Sequence, residues 1–417
     1  MSGPRVPLAA RRPRRAAGPR AGALRRDVAA GLINAVVSVP DGLASAALAG
    51  VNPVYGLYTS VAAPIGGSLL VSAQLMQIST TSASALAAGQ AIAGYPEARR
   101  DEALFLLVVL AGLFLVAFGL LRLGRLVRFV SHAVMTGFLI GVAVVLILDQ
   151  AAPLVGLAPR GSNEVAQFLD LLASLPGASV PTTVVGVLAL GLAVGLGRTR
   201  LATFSSLAAL LVPSLLVALA GWEGVRLVAD VSPIPRGVPT PTLPDPGLIT
   251  PALLLAAFSL AVIVAVQGAG VSQSVENPDG SRISPSRDMV AQGAGNVVSG
   301  LLRGIPAGGS LGQTALNVSV GARSRWAGVL GGVWMLVFLL LLADLVGRVP
   351  MAVLAALMIL AGVSAIDFRE ARSIWNTGGA ARWAIGVTFV ATLVLSIPMA
   401  VAAGVLLTVV LYVASSA

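Results

Sequence analysis

Polar positions along this chain fall in short clusters that separate long apolar runs, and from Asp27 onward fourteen such runs are countable. They begin near Val28, Val54, Ser79, Ala103, Phe129, Pro181, Leu201, Pro251, Pro285, Ser310, Trp326, Val349, Trp383 and Pro398. About 20 apolar residues in a helix rising roughly 1.5 Å each cross the ~30 Å hydrocarbon layer of a bilayer. The longer runs meet that length, so the chain reads as an all-α polytopic membrane protein. Residues 79–94 and 310–320, the third and tenth runs, hold too few apolar positions to cross as helices. Each must be completed by an extended stretch. Short, broken spans seven apart are the pattern of an inverted repeat, two oppositely threaded halves whose half-helices meet near the bilayer midplane. The predicted fold is 14 transmembrane segments arranged seven plus seven.

Composition sharpens this. The chain is 57% hydrophobic and 11% charged, with a mean hydropathy of +0.92, which excludes a soluble globular domain. It has no Cys, so disulfides, thiolate nucleophiles and Cys-ligated metals are excluded as well. His132 is the single histidine and reads as structural, so neither a metal nor an organic cofactor is expected. The net charge of +10 comes from 27 basic residues, all of them Arg. On a soluble domain that excess would suggest nucleic acid. Its distribution points to membrane topology instead. Eight Arg lie in residues 1–26, a tail rich in Ala, Pro and Gly without the apolar core of a signal peptide. The topogenic reading is preferred over a twin-Arg export signal at Arg11 and Arg12 or a lipid-binding patch. Threading fourteen spans from a cytoplasmic N-terminus puts 20 Arg on the cytoplasmic side and 7 outside. Both termini are therefore expected inside the plasma membrane. The longest loops, residues 149–180 and 222–250, are external and Pro-rich, and read as caps without chemistry.

Three stretches can carry chemistry. In the first, Pro40 removes a helical N–H and is expected to kink the first span beside Asp41. A carboxylate at that depth costs about 2.5 to 3.5 kcal/mol, so it should face a wet cavity or a partner, unless it sits near enough to the surface to stay hydrated. The second, Gln77 to Ser84, places hydroxyls before a helix of small residues. Hydroxyls, free N–H groups and the positive end of a helix dipole favour an anion without formal charge, although small residues also serve close helix packing. The third, Asn296 to Asn317, contains Gly308 and Gly309 ahead of Ser310, a second helix start aimed inward from the other half. Two such starts would converge on one ligand. Gly293 to Gly295 matches no phosphate loop. With one histidine there is no facing nucleophile and base, so the protein is not expected to be an enzyme.

At these stretches the chain resembles the sulfate permease (SulP) family of anion transporters. The block from Val39 to Ser60, Val-Pro-Asp-Gly-Leu-Ala-Ser-Ala-Ala-Leu-Ala-Gly-Val-Asn-Pro-Val-Tyr-Gly-Leu-Tyr-Thr-Ser, is similar to its first signature. The run from Met289 to Gly309, continued by Thr314, Asn317 and Gly321 to Arg323, is similar to its second. The resemblance implies a core domain of spans one to four and eight to eleven, about residues 27–121 and 250–347. A gate domain of the other six spans follows, about residues 127–221 and 349–417. It places the anion between the starts of spans three and ten. Ser79, Thr80 and Thr81 stand on one side, with backbone groups of Gly309, Ser310 and Leu311 and the side chain of Gln313 on the other. Asp41, Ser45 and Gln267 then line the cavity. Three positions depart from the family pattern: Asp41 replaces a common Gln, Gln267 replaces a frequent carboxylate, and Gln313 replaces a frequent Arg. The family's C-terminal STAS domain has no counterpart here. The implied function is secondary active transport of sulfate or a similar inorganic anion such as bicarbonate. Exposure of the site would be elevator-type, with H+ or Na+ as the coupling ion. A nucleobase carrier of related architecture and a non-transporting membrane protein are the alternatives. Expected partners are the anion, membrane lipid and a second copy in a homodimer, not nucleic acid.

Overall fold

Local chemistry sets several helix starts. Asn52 precedes Pro53 and its side chain accepts the Val54 amide at 3.0 Å, while Thr250 precedes Pro251 and accepts the Leu253 amide at 3.1 Å. Proline at the first helical position lacks only an N–H that would be unpaired anyway. The computed structural model describes residues 21–124, 132–157, 159, 164–199, 205–231, 239–366, 368–377 and 379–394. In chain order these form α1 (Ala21–Leu48), α2 (Pro53–Gly67), β1 (Gln77–Thr80), α3 (Ser82–Ile92), α4 (Glu97–Leu120), α5 (His132–Val155) and α6 (Glu164–Ser174). Then come α7 (Val180–Gly197), α8 (Ser205–Ala220), the single turn α9 (Val228–Val231), α10 (Pro251–Gln273) and α11 (Pro285–Leu301). The chain continues through β2 (Ala307–Ser310), α12 (Leu311–Val320), α13 (Trp326–Gly347), α14 (Met351–Ala365), α15 (Phe368–Thr377) and α16 (Gly379–Val394).

The predicted runs up to the one near Trp383 each coincide with or lead into one of these helices. The run near Pro398, most of the basic tail and the side chain of His132 lie outside the described residues. By length and composition, α1, α4, α7 and α10 can each cross a membrane, whereas the apolar stretches of α5, α8, α13, α14 and α16 are shorter. The multi-pass helical architecture is thus observed, and the full count of 14 rests on the sequence. One expectation needs correction. The loop over residues 149–180 contains α6, whose Val165, Phe168, Leu171 and Leu172 recur at helical spacing and whose Leu171 is buried against the bundle. Helix α1 continues on both sides of Pro40 and packs on α2 and α13.

Packing divides the helices into two bundles. The first holds α1 to α4 and α10 to α13, and the second holds α5 to α8 and α14 to α16. Exchanging each helix for the one seven predicted spans away maps the first bundle's contacts onto themselves. The α1/α13 contact becomes α10/α4, α4/α11 becomes α13/α2, and α1/α12 becomes α10/α3. In the second bundle α5/α16 becomes α14/α7. Among the described helices, a repeat barely visible in residue identities shows in which helix touches which. The bundles meet where α1 packs on α8 and α14, and α3 on α5 and α14.

Within the first bundle α4 and α11 approach closely at Gly112 and Gly293. A Cβ on Gly293 would lie 2.6 Å from the Gly112 carbonyl oxygen and 2.7 Å from the Val116 nitrogen. These are backbone atoms and cannot rotate away. Gly293→Val should therefore cost about 1–3 kcal/mol through forced separation of the two helices. The expected readout is a lowered melting temperature of the detergent-solubilised protein. Gly191→Ala, at a position in α7 with open space around it, should leave the melting temperature unchanged.

Candidate functional site

Strands β1 and β2 pair antiparallel, with Gln77 opposite Ser310 and Thr80 opposite Ala307. Because they run in opposite directions, the helices they feed leave in opposite directions. The N-terminal ends of α3 and α12 therefore sit at the two ends of one short strand pair, separated along the strands by on the order of 10 Å. Both broken spans are completed by extended backbone, as the sequence required.

Extended backbone inside a bilayer needs partners for every N–H and C=O, and a two-stranded ribbon supplies them on one edge only. Helix α11 supplies the other edge of β2. Its Asp288, Gln292, Asn296 and Ser299 are spaced four, four and three residues apart, which places them on one face. Gln292 Oε1 accepts the Gly309 amide at 3.0 Å. Asn296 accepts the Ala307 amide at 2.9 Å and donates to the Ala307 carbonyl at 2.7 Å. Ser299 donates to the Ile305 carbonyl at 2.9 Å, and Thr59 of α2 accepts the Ile305 amide at 2.7 Å. The lead into β1 is held from the other half of the chain. Asp288 Oδ1 accepts the Ser72 and Ala73 amides, Thr314 accepts the Gln77 amide at 3.0 Å, and Asn317 donates to the Leu75 carbonyl at 3.0 Å.

At the α3 end, Thr81 is the N-cap residue, but its hydroxyl makes no capping bond to a helix amide. It bonds instead to Ser84 Oγ at 2.7 Å and donates to Gln267 Oε1 at 3.3 Å. Ser79 and Thr80 are buried, and their hydroxyls have no hydrogen-bond partner. At the α12 end, Ser310 caps the helix by accepting the Gln313 amide at 3.4 Å, as its position suggested. The Gln313 side chain donates to Asp41 Oδ2 at 2.9 Å and accepts from Ser38 at 3.2 Å. Ser45 lies one turn beyond Asp41 on the same face of α1 and is buried. Leu311 opens α12 with a side chain 60% exposed. Its amide belongs to the first turn, where no intrahelical partner exists.

The structure corrects one assignment and adds a set the sequence reading missed. Gly309 offers no free backbone donor for an anion, because its amide is taken by Gln292; it lets the strand lie close to α10. Gln292 and the strand-holding roles of Asp288, Asn296 and Thr59 were not anticipated. Polar residues at helical spacing inside an apolar segment were the available signal. Asp41 and Gln267 are expected to flank one cavity; their hydrogen bonds tie Asp41 to the start of α12 and Gln267 to the start of α3. Asp41 is the one formal charge among the residues named at the two helix starts, all the others being neutral. Among the described residues no group of His, Cys, Asp and Glu is arranged to hold a metal ion.

Two broken spans, crossing as paired strands and each opening into a helix that points away from the other, give the discontinuous-helix architecture found in inverted-repeat membrane transporters. The chain belongs to the sulfate permease family, whose model matches residues 24–385. It is 28% identical over 393 residues to the YvdB protein of Bacillus subtilis (strain 168), whose name assigns it provisionally to sulfate transport; the match covers 93% of this chain and 73% of that one. It is 29% identical over 376 residues to low affinity sulfate transporter 3 of Stylosanthes hamata, covering 84% of this chain and 58% of the relative. The chain thus spans little more than half the length of that plant protein. Among solved structures, the transmembrane domain of the cyanobacterial bicarbonate transporter BicA superposes with a TM-score of 0.78 at 24% identity, covering 92% of this chain and 98% of that one. SLC26A9 superposes with a TM-score of 0.83 at 20% identity, covering 94% and 66%. These likenesses establish the fold. The family and its relatives are transporters, not enzymes.

If α11 side chains hold β2 in place, Asn296→Leu should leave the Ala307 N–H and C=O without their partner. Each orphaned group costs about 1–3 kcal/mol. Thermal unfolding of the purified variant should begin markedly earlier than that of the parent. An unchanged melting temperature would mean that β2 does not depend on this contact.

Proposed function

We propose that this protein is a secondary active transporter of a small inorganic anion, of the sulfate or bicarbonate class. The observation that carries the reading is the strand crossing, which brings two helix N-termini and the Thr81 and Ser310 hydroxyls to one short strand pair, with unpartnered hydroxyls of Ser79 and Thr80 on its two faces. Each helix start carries a partial charge of about +0.5, which favours an anion between them without any Arg. The names of the relatives support sulfate, and that of the BicA structure supports bicarbonate. Screening sulfate, bicarbonate, chloride, nitrate and dicarboxylates for thermal stabilisation tests which anion binds. Uptake into proteoliposomes then tests transport.

Movement of the first bundle against the second would expose the crossing to each side in turn. The two half-helices already differ in access: α3 is wedged against α5 and α14, whereas Leu311 and Val318 of α12 are 60% and 49% exposed. Coupling falls to Asp41. A site with one carboxylate and no guanidinium gains charge balance if a cation enters with the anion. A proton is the favoured ion, because the neutral acid would still pair with Gln313. Sodium is the alternative, held by the carboxylate and nearby oxygens.

Two substitutions probe this reading. Ser310→Glu should abolish anion-induced stabilisation by putting a like charge at the α12 start, whereas Ser310→Ala should weaken it by about 1 kcal/mol, the value of one hydrogen bond. Equal tolerance of both would place the anion elsewhere. Asp41→Asn should retain the Gln313 bond and anion exchange but lose accumulation driven by a proton gradient alone. A variant that still accumulates substrate under that gradient would remove Asp41 from coupling.

A further inference from the structure

A cavity of about 260 Å³ lies at the far end of α3 from the strand crossing, between the end of α1, the last two turns of α3 and the first turn of α4. Leu48, Ala49, Leu86 and Gly89 give it apolar walls, and Gln90 and Arg100 are its polar lining. Gln90 is nine residues along α3 from the Thr81 cap, so the cavity stands roughly 13 Å from that helix start. It is not part of the crossing.

Arg100 is the feature that calls for an occupant. Its Nε is shut off from solvent and has no hydrogen-bond partner, so the guanidinium must turn towards the cavity before a ligand can pair with that N–H. Both ion pairs of this region use the preceding residue, Arg99, which meets Asp245 at 3.0 Å and Glu102 at 3.9 Å. An uncompensated buried guanidinium N–H is costly, and a guanidinium fork matches a carboxylate in two parallel hydrogen bonds. The walls decide what that carboxylate is attached to. An apolar cavity of about 150 Å³ holds a benzene ring, so this one has room for a ring together with a carboxylate. The cavity opens to solvent, and a small hydrated inorganic ion gains nothing from walls of leucine and alanine. The C-terminal ends of α1 and α3 also point here, and their partial negative charge works against an anion, so only a charge offset by Arg100 is accepted. We propose that this cavity binds a small organic monocarboxylate of about the size of benzoate, its carboxylate on Arg100 and its apolar body against α1 and α3. Since α1 and α3 are also the helices through which the first bundle meets the second, such a ligand sits where it can act on their movement as an effector.

The test uses the purified full chain and sodium benzoate, at constant ionic strength against sodium chloride. A saturable rise in melting temperature is expected with benzoate, and none with benzyl alcohol, which has the ring but not the charge. Arg100→Gln should weaken the half-saturating concentration at least tenfold. Ala93→Leu, which fills the cavity from an exposed position at its rim, should abolish the rise even if the Arg100 variant fails to fold. Ser310→Glu should keep it, because the crossing is a separate place. Absence of any benzoate effect, persistence of a full effect in Arg100→Gln, or its loss in Ser310→Glu would each overturn the proposal; the last would place benzoate at the transport site instead.

Discussion

A peptide group without a hydrogen-bond partner is barely tolerated in hydrocarbon, at several kcal/mol each, and the arrangement of this molecule follows from that constraint. Both broken spans contain extended backbone at membrane depth. Pairing β1 with β2 satisfies one edge of each strand and leaves the other edges open. The polar face of α11, Thr59 on α2 and Thr314 and Asn317 on α12 close much of what remains. Their carboxamides and hydroxyls have no need of the ligand; they build the platform on which the two helix starts are presented.

That platform also sets the polar character of the crossing. At the two helix starts the named groups are dipoles, hydroxyls and carboxamides, and the one formal charge among these described residues is the Asp41 carboxylate, held by Gln313. Neutral donors fixed by packing need no counter-ion when the site is empty, whereas a guanidinium at the same place would need one. The pairing of Asp41 with Gln313 and of Thr81 with Gln267 also gives each helix start its own polar contact with a neighbouring full-length span, α1 in one case and α10 in the other. The same exchange of helices that maps the packing onto itself relates these two contacts.

How much of this was legible in the sequence depended on distance along the chain. The interrupted third and tenth runs, the helix start at Ser310 and the polar depth of Asp41 are all written in neighbouring residues, through propensity, capping and hydropathy. The strand pairing was not, because Gln77 and Ser310 lie more than 200 residues apart and nothing local in a four-residue stretch names its partner. For the same reason Gly309 was taken for a free donor: its amide is used by Gln292, on the helix before it, and only the fold brings the two together. α6 escaped notice because prolines nearby outweighed a short amphipathic pattern.

The long reach of these hydrogen bonds bears on biogenesis. The Ser72 amide waits for Asp288, the Gln77 amide for Thr314 and the Leu75 carbonyl for Asn317, groups encoded 216, 237 and 242 positions downstream. At a synthesis rate of about 5–20 residues per second, the first half of the chain spends on the order of 10 to 50 seconds in or beside the translocon before its partners emerge. During that interval β1 has no strand to pair with and its edges must be kept wet or sheltered by the insertion machinery. The backbone around β1 is therefore fully paired only when the second half has been made, which ties the lifetime of the nascent chain to the assembly of the strand crossing.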